Sequence, residues 1–281
     1  MRVRVPASTA NLGPGFDALA LALNLYLELS LEPADALSIT STGCGAGLFD
    51  DERHLGVRVA RQILGHDHFH LFVHSEIPVA RGLGSSAALA LAAARAANAE
   101  NPLAVAVALD GHAENAAASL HGGLVVATVI SGVPIVEALP LDDALRYVLI
   151  IPEQSLATSD ARDVLPTAVA FRDATFNLAR MGLLLAGLAD HERLRPEAME
   201  DRLHQQYRSA LLPFTDALLH GLRDAGALAS CWSGAGSAIL GVATAASARR
   251  IASCAEGHLN SLGVKGDVKV LEADRQGLVT L

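Results

Sequence analysis

The chain has 281 residues, of which 51% are hydrophobic, 18% charged and only 4% aromatic. This length suits one large domain or two modest ones, whose core must be built mainly from Ala, Val, Leu and Ile. The formal net charge is -9 and no basic run occurs, which argues against a nucleic-acid partner.

Cysteine usage and hydropathy point to a cytoplasmic protein. The three cysteines are widely spaced and form no CxxC pair, as expected in a reducing compartment. Residues 1–5 read as the start of a strand and not as an apolar leader. Two long uncharged stretches, 115–136 and 225–248, contain glycines and polar residues. We interpret them as strand–turn–strand segments and expect no membrane partner.

The first half of the chain predicts strands interrupted by helices. The predicted strands are 1–5 (ended by Pro6), 18–31, 37–41 and 68–77, followed by a hairpin of 124–130 and 133–138 around Ser131-Gly132. The predicted helices are 51–64, 87–99 and 102–118. The second of these helices is very rich in alanine, and Ser85 or Ser86 is a natural N-cap for it.

The second half of the chain predicts a long helical section followed by more strands. The predicted elements are a strand at 146–151 that ends at Pro152, a helical section that continues to residue 224, a strand–glycine loop–strand unit over 227–247, a helix over 245–262 and a strand at 267–272. Strands and helices mix without a regular βαβ rhythm, which predicts an α+β fold. We place a domain boundary near residue 150, which gives domains 1–150 and 151–281.

A glycine-rich turn between a strand and a helix is the first segment that carries chemistry. Residues 78–88 run Pro-Val-Ala-Arg-Gly-Leu-Gly-Ser-Ser-Ala-Ala. Glycine lets a backbone approach an anion closely, and a helix start presents unpaired N–H groups with positive partial charge. We interpret the segment as a phosphate cradle without a Walker lysine, in which Ser85 and Ser86 cap the helix, contact phosphate or reach a magnesium ion. An ordinary tight turn with a serine cap is the alternative.

A second glycine-rich turn lies near the N-terminus, where residues 6–17 run Pro-Ala-Ser-Thr-Ala-Asn-Leu-Gly-Pro-Gly-Phe-Asp. Such a turn brings Asn11 and Asp17 to one place, where Asn can bind a substrate hydroxyl and Asp can hold an ammonium group. Taken alone, the segment is better explained by an Asx-turn at Asn11 and a helix cap at Asp17. A third glycine-rich loop, Ser-Gly-Ala-Gly-Ser at 233–237, is weak on its own.

These three segments, in this order, resemble the motifs of the GHMP kinases, and the wording of the first two resembles the homoserine kinase branch of that family. The resemblance implies a two-layer α+β fold, with an N-terminal ATP-binding α+β domain and a C-terminal ferredoxin-like α+β domain. It also implies a kinase that uses ATP and Mg²⁺ to phosphorylate the hydroxyl of L-homoserine, giving O-phospho-L-homoserine for threonine synthesis. A homodimer is a common assembly among such relatives.

The resemblance further implies roles for individual residues. The implied catalytic residues are Asn11, Asn115 and Arg162. The implied substrate-binding residues are Asn11 at the hydroxyl, Asp17 at the amino group, His112, Thr158, and Arg162 and Arg208 at the carboxylate. The implied nucleotide-binding residues are Pro78, Val79, Ala80, Arg81, Gly82, Leu83, Gly84, Ser85, Ser86, Ala87 and Ala88, and the implied metal ligands are Ser86 and Asp110. Two arginines suit one carboxylate because the planar guanidinium matches it bidentately.

Several positions depart from the family pattern. Ala113 and Glu114 replace Pro and Asp in the Gly-His-Pro-Asp-Asn segment, and Ser237 stands where Pro is usual. His54 stands where Asn is frequent near the adenine, and we do not assign it to the nucleotide. Because Asn115 occupies a position where some relatives carry an Asp base, we predict in-line transfer without a strong protein base.

Other interpretations stay open at this point. A GHMP kinase for another alcohol, such as mevalonate or shikimate, is disfavoured by Asp17, since those substrates carry no ammonium group. A catalytically inactive GHMP fold that acts as a ligand sensor is disfavoured by the intact phosphate loop and Asp110. The even spacing of four histidines would place them on one strand face, and we favour a solvated face over a metal site. They are His66, His68, His70 and His74.

Overall fold

A computed structural model describes residues 1–281 and contains two β-sheets. Its strands are β1 (Arg2–Ala10), β2 (Leu19–Pro33), β3 (Ser38–Gly43), β4 (Phe69–Ser75), β5 (Leu124–Ile130), β6 (Val133–Leu139), β7 (Leu145–Pro152), β8 (Ala229–Trp232), β9 (Ile239–Thr244), β10 (Gly266–Leu271) and β11 (Val279–Thr280). Its α-helices are α1 (Leu55–Leu64), α2 (Ser85–Ala96), α3 (Pro102–Asp110), α4 (Glu114–His121), α5 (Thr158–Asp163), α6 (Phe171–Ala189), α7 (Gln205–Arg208), α8 (Thr215–Asp224) and α9 (Ala248–Ser261). Two 3₁₀ helices, His191–Arg193 and Pro196–Met199, lie between α6 and α7.

The first sheet has seven strands and is organised by the long strand β2. The strand order is β11-β1-β2-β4-β3, with β5 beside β2 and β6 beside β5. One edge of β2 serves two partners, since Leu19–Leu21 pair with β5 and Leu27–Pro33 pair with β4. From Leu23 onward, β2 alternates buried and half-buried residues. One face of the sheet therefore packs on the core while the other meets solvent.

The second sheet has four antiparallel strands in the order β10-β7-β9-β8. In chain order, β7, α8, β8, β9, α9 and β10 form a βαββαβ unit, and with this strand order the topology is ferredoxin-like. Leu218, Leu222, Ile251 and Leu259 of the two helices pack with Val148 of β7 in a separate core cluster. The predicted α+β class, with a ferredoxin-like C-terminal part, is confirmed.

The alanine-rich helix α2 is buried on nearly every side. Eight of its twelve residues are buried, and seven of those eight are alanines. It packs against β1 and β2 on one side and against α1, α3 and α4 on the others. Small side chains permit this close approach of helices and sheet. The packing therefore fixes where the helix begins, directly after the glycine-rich turn.

The predicted strands are present with shifted ends. The strand predicted at 1–5 continues through Pro6 to Ala10, because Pro6 lies at an irregularity in the pairing with β2, where proline is tolerated. The two-residue strand β11 is too short to show a sequence pattern and is absent from the predicted elements. Strand β7 spans residue 150 and pairs entirely within the second sheet, whereas β11 pairs with β1. The division into 1–150 and 151–281 stays a prediction.

Three predictions about helices are wrong in detail. The helix predicted over 51–64 begins only at Leu55, with His54 as its N-cap. The helix predicted over 102–118 is two helices, separated where Gly111 adopts a left-handed conformation. Gly84 holds the N-cap position of α2, and no side chain caps that helix. None of the nine helices has the combined length and hydropathy that crossing a membrane would require.

The histidine-rich strand β4 forms part of a polar sheet face. His70 Nε2 and His74 Nδ1 each lie 2.9 Å from a threonine hydroxyl of β3, on Thr40 and Thr42 respectively. His66, His68 and His74 are exposed and His70 is half-buried, as on the solvated face that we favour for this spacing.

The packing of α2 generates a prediction about stability. Ala93 is fully buried on this helix, so Ala93→Leu overfills the core and should lower the free energy of unfolding by about 1–3 kcal/mol. Ala179 is exposed in the middle of α6, so Ala179→Leu is the matched control and should change stability by less than about 0.5 kcal/mol. Urea unfolding measures both variants. Equal stabilities of the two variants would contradict the close packing of α2.

Candidate active site

One cavity of about 460 Å³ collects residues from the loops of both sheets. Its lining includes every catalytic, substrate-binding and metal-binding residue predicted from the sequence: Asn11, Asp17, Ser86, Asp110, His112, Asn115, Thr158, Arg162 and Arg208. These side chains come from distant parts of the chain. The fold therefore assembles the predicted set at one place.

The turn before α2 is shaped by close backbone contacts. Gly82 and Gly84 have left-handed φ angles of 72° and 67°. A Cβ atom on Gly82 would overlap the backbone oxygen of Ser233, and one on Gly84 would overlap the hydroxyl of Ser8. Only glycine fits both positions, and the turn delivers the uncapped start of α2 to the cavity. Its free N–H groups form an anion-binding surface.

Not all residues of the predicted phosphate loop line the cavity. The lining includes Val79, Ala80, Gly82, Leu83, Gly84, Ser85, Ser86 and Ala87. Pro78, Arg81 and Ala88 lie outside it. Ala88 is buried inside α2, and the Arg81 guanidinium turns away to donate to backbone oxygens that include Pro152, at 2.8 Å. Arg81 thus holds the loop against the second sheet.

Asn11 and Asp17 lie on a strained loop between β1 and β2. Asn11, Leu12 and Asp17 all have left-handed φ angles, of 71°, 49° and 54°. The Asp17 N–H donates to Asn11 Oδ1 at 3.0 Å, so the predicted Asx-type contact is present. Asn11 Nδ2 donates to the Gly234 oxygen at 2.9 Å. The amide retains a second N–H and a second lone pair for a ligand.

Asp17 and Arg162 pair with each other in this structure. Arg162 Nη2 and Nη1 donate to the two Asp17 oxygens at 2.6 and 3.0 Å, in a bidentate arrangement. The Asp17 carboxylate raises the pKa of Arg162 above its ordinary value. Both side chains are about one-third exposed and line the cavity. The pair is therefore accessible to a charged ligand that competes for either partner.

Arg208 is a buried cation without a counterion. It is 1% exposed, and its Nε donates to the Ala161 oxygen at 2.9 Å. Its Nη1 donates to His204 Nδ1 at 3.0 Å and to the Gly234 oxygen at 3.2 Å. No carboxylate lies within 4.0 Å of the guanidinium. Burial, with Arg162 nearby, lowers the pKa of Arg208 to about 10, so an anion bound in the cavity would be stabilised here.

A second charged cluster lies at the start of α4. His112 Nδ1 is 2.9 Å from Glu114 Oε1, without the alignment of a hydrogen bond. Asn115 Nδ2 donates to the same oxygen at 3.1 Å, and Asn115 Oδ1 accepts from the Ser8 hydroxyl at 2.9 Å. These contacts fix which way the Asn115 amide points. The Glu114 carboxylate raises the pKa of His112, while Glu114 Oε2 is buried without a partner.

Ser86 and Asp110 form an oxygen pair at the edge of the cavity. Ser86 Oγ donates to Asp110 Oδ1 at 3.4 Å. Burial raises the pKa of Asp110, and the nearby His112 and the Ser86 hydroxyl offset only part of this shift. A hydroxyl and a carboxylate are hard oxygen ligands, the kind that Mg²⁺ prefers. The two residues therefore fit a magnesium site next to the turn that precedes α2.

An apolar cavity of about 260 Å³ adjoins the first and shares Val79, Ser85 and Ser86 with it. Its lining also includes Cys44, Leu48, Phe49, His54, Leu55 and Leu89. His54 Nδ1 accepts from the Gly56 N–H at 3.1 Å, so this side chain caps α1, and burial lowers its pKa. Sequence reasoning left this cavity unassigned because its residues come from scattered loops without a motif.

Three residues near the cavity were missed by the sequence analysis. Ser8 fixes Asn115, Phe16 lies under both Arg162 and Arg208 at 5.6 and 5.4 Å from its ring centroid, and His204 contacts Arg208. Ser8 and Phe16 lie inside the glycine-rich segment 6–17. His204 lies four residues before Arg208, a spacing that brings side chains together on one helical turn.

Comparison with known proteins agrees with the fold. Residues 54–132 match the family described as GHMP kinases N terminal domain, and residues 183–260 match GHMP kinases C terminal. Homoserine kinase from Microchaete diplosiphon is 38% identical over 99% of this chain and 96% of its own length. The crystal structure of homoserine kinase from Cytophaga hutchinsonii has a TM-score of 0.86 at 27% identity, covering 100% of this chain and 97% of that one. L. major mevalonate kinase, in complex with R-mevalonate, has a TM-score of 0.70 at 15% identity over 99% and 96% of the two chains, a likeness of fold alone.

The fold, the glycine-rich turn at α2 and the two matched regions define an ATP-dependent kinase of the GHMP class, which acts on an alcohol. The resemblance seen in the sequence motifs is thereby confirmed. Within this class, similarity over nearly the whole chain shows that the protein belongs to the homoserine kinase family.

The geometry of the turn predicts how a glycine substitution affects nucleotide binding. Gly82→Ala forces a side chain into the Ser233 backbone, so the turn must move, and we expect a strain of about 1–3 kcal/mol and a weaker affinity for ATP. Gly65 has a similar left-handed φ angle, of 76°, with open space around it, so Gly65→Ala is the matched control for backbone strain alone. Calorimetric titration with ATP measures both. A Gly82→Ala protein that binds ATP like the wild type would contradict this assignment.

The His112–Glu114 pair predicts a shifted titration. His112 should lose its proton above the ordinary value of about 6.5, because the adjacent carboxylate favours the charged ring. The positive charge is present below this raised pKa and disappears as the pH rises through it. Glu114→Gln should lower the pKa of His112, which NMR titration of the ring protons measures, with His112→Gln to assign the signal. A pKa of His112 that is unchanged by Glu114→Gln would contradict the pairing.

Proposed function

We propose that the protein transfers the γ-phosphoryl group of ATP to the side-chain hydroxyl of L-homoserine, giving ADP and O-phospho-L-homoserine. The observation that carries the proposal is one cavity in which an anion-binding helix start faces a carboxylate and two arginines. Such a set suits a nucleotide beside a zwitterionic amino acid. Relatives that match nearly the full chain are homoserine kinases.

The nucleotide would extend across both cavities. The phosphates would lie against the turn at 82–87, where backbone N–H groups and the start of α2 favour negative charge. The adenine would occupy the adjoining apolar cavity, whose lining of Leu48, Phe49 and Leu89 suits a planar base. Ser85 and Ser86 line both cavities and would lie where base and phosphates are joined.

Ser86 and Asp110 would hold Mg²⁺ beside the phosphates. When bound, the ion would neutralise the negative charge that develops on the phosphoryl group during transfer. Burial raises the pKa of Asp110, and a bound divalent ion would favour its ionised carboxylate.

The amino acid would bind by exchanging partners with the Asp17–Arg162 pair. The substrate ammonium would take the place of Arg162 at the Asp17 carboxylate. The substrate carboxylate would then bind Arg162 and the buried Arg208, which lacks a counterion. A zwitterion has no net charge, so the exchange leaves the charge of the cavity unchanged while it satisfies Arg208. Asn11 and His112 would lie near the hydroxyl.

Catalysis would rest on positioning and charge stabilisation. A bond forms between the homoserine oxygen and the γ-phosphorus, the bond to the bridging oxygen of ADP breaks, and the hydroxyl proton passes to a phosphoryl oxygen. Asn115 cannot accept this proton, and its amide is fixed by Ser8 and Glu114. Glu114 Oε1 contacts His112 and Asn115, whereas Glu114 Oε2 has no partner. We assign no protein base, and His112 would supply positive charge.

Two alternatives have less support. A mevalonate- or shikimate-type substrate would leave the Asp17 carboxylate without an ammonium partner. A catalytically inactive sensor would have no need of Ser86 and Asp110 beside an open phosphate turn. Sequence features also lead us to propose a cytoplasmic location without nucleic-acid or membrane partners. We further propose that the protein forms a homodimer. The division into domains 1–150 and 151–281 is also part of the proposal.

The experiment that tests this function measures ADP release, in a coupled assay, with a panel of alcohols. Homoserine should support turnover, whereas mevalonate, shikimate and galactose should not. Two truncated analogues dissect recognition: 4-hydroxybutyrate lacks the ammonium group and 3-amino-1-propanol lacks the carboxylate. Turnover with mevalonate or shikimate, or no turnover with any alcohol, would overturn the proposal.

The substitution Asp17→Asn tests one contact in the same assay, the contact between Asp17 and the substrate ammonium group. Losing a charge-assisted contact to the ammonium should raise the KM for homoserine about 10- to 100-fold, with the KM for ATP unchanged. The KM for 4-hydroxybutyrate should not rise, because that analogue has no ammonium to lose. An equal effect on both substrates would show that Asp17 does not bind the amino group.

A further inference from the structure

His204 links the loop that carries Asn11 and Asp17 to the buried Arg208. The ring is completely buried and does not line the cavity. His204 Nε2 lies 2.8 Å from the Gly13 oxygen, and His204 Nδ1 lies 3.0 Å from Arg208 Nη1. The ring also stacks on Phe16 at a centroid distance of 5.0 Å.

The chemistry of these partners fixes the protonation of the ring. Arginine has only donors, so His204 Nδ1 must accept from Arg208 and carry no proton. The Gly13 oxygen only accepts, so His204 Nε2 must carry the proton. The imidazole is therefore neutral and in one tautomer. Burial lowers its pKa to about 4 and outweighs the opposing effect of Asp201 Oδ2, which lies 3.6 Å from His204 Nε2.

Further contacts hold His204 in place. The Asp201 side chain is completely buried and accepts from the backbone N–H groups of Leu203, His204 and Gln205 at 2.7–2.9 Å, and from Asn177 Nδ2 at 2.7 Å. Gly13 packs so closely on Met199 that a Cβ atom there would overlap the Met199 backbone. The segment from 199 to 208 thus packs against the loop between β1 and β2, on the side away from the cavity.

We propose that His204 is a positioning residue, which fixes Arg208 and the loop that carries Asn11 and Asp17 at one mutual distance. This inference rests on the proposed function, because it assigns both groups to the amino-acid substrate. The ring acts through Arg208 and Gly13 and contacts no substrate. Without the ring, Arg208 and the loop that carries Asn11 and Asp17 can move independently of each other. The turn that precedes α2 keeps its own contacts.

Three substitutions at His204 separate the effects of its hydrogen bonds to Gly13 and to Arg208. His204→Phe keeps a planar ring against Phe16 and removes both bonds. His204→Asn places an oxygen near the Nδ1 position, where it can accept from Arg208, but it cannot reach Gly13. His204→Gln reaches Gly13 with an N–H donor but has no acceptor at the Nδ1 position, to which Arg208 donates. His258 packs on Gly221 between α8 and α9, so His258→Phe is the control for replacing a packed histidine.

The readout is the KM for homoserine set against the KM for ATP and the melting temperature. His204→Phe should raise the KM for homoserine by about tenfold or more, with the KM for ATP unchanged, and each amide variant should show a smaller rise. In an Arg208→Ala background, His204→Phe should raise the KM for homoserine less than it does in the wild-type protein, because both substitutions act on the same contact. An equal rise of both KM values, an unchanged KM for homoserine, or full additivity would overturn the proposal.

Two features keep this test separate from the proposed function. Wild-type turnover on homoserine reports on the function, whereas the ratio of the variant KM to the wild-type KM reports on His204.

Nitrogen NMR of the wild-type protein tests the positioning without substrate, and it decides the question even if the variants do not fold. We expect a protonated Nε2 and an unprotonated Nδ1 from pH 5.5 to pH 8, a range above the pKa of about 4. A protonated Nδ1 would overturn the proposal.

Discussion

The site depends on a close backbone approach between the turn that precedes α2 and the glycine loop between β8 and β9. Gly82 lies against the Ser233 oxygen with no room for a side chain, and the Gly234 N–H donates to the Ala10 oxygen at 3.0 Å. Because the turn ends at the start of α2, this contact sets the position of that helix end relative to Arg162 and Arg208. The alanine packing of α2 keeps that helix end in place from the other side.

Charge is balanced locally in a protein whose net charge is -9. Arg162 is paired with Asp17, and His112 with Glu114, whereas Arg208 is buried without a carboxylate partner. Burying an uncompensated cation is unfavourable, so this site favours a bound anion more strongly than surface cations would. In the proposed function, an amino acid that brings a carboxylate and an ammonium together would satisfy Arg208 and still occupy Asp17. This preference would distinguish a zwitterion from a neutral alcohol.

The sequence was sufficient for the parts of the site that are contiguous. The turn at 82–87 and the loop at 11–17 were recognised because each is a short run of glycine and polar residues. What could not be predicted depends on contacts between distant residues. The pairing of Asp17 with Arg162 joins positions 145 residues apart, and the bond from His204 to Gly13 joins positions 191 apart. No local pattern encodes such pairs.

The fold shows the same division between local and distant information. Helices and strands were predicted from periodicity, whereas the continuation of β1 through Pro6 depends on its irregular pairing with β2. The outward turn of Arg81 likewise depends on backbone oxygens at the end of β7, which local sequence does not reveal. Local signals therefore define which residues carry chemistry, and long-range packing defines which way they face.

The most direct test is a crystal structure with a non-hydrolysable ATP analogue and homoserine. The account predicts phosphates against the N-terminus of α2, the substrate ammonium at Asp17, and its carboxylate between Arg162 and Arg208, with the Asp17–Arg162 pair opened. Phosphates bound away from α2, or an intact Asp17–Arg162 pair beside a bound amino acid, would contradict it.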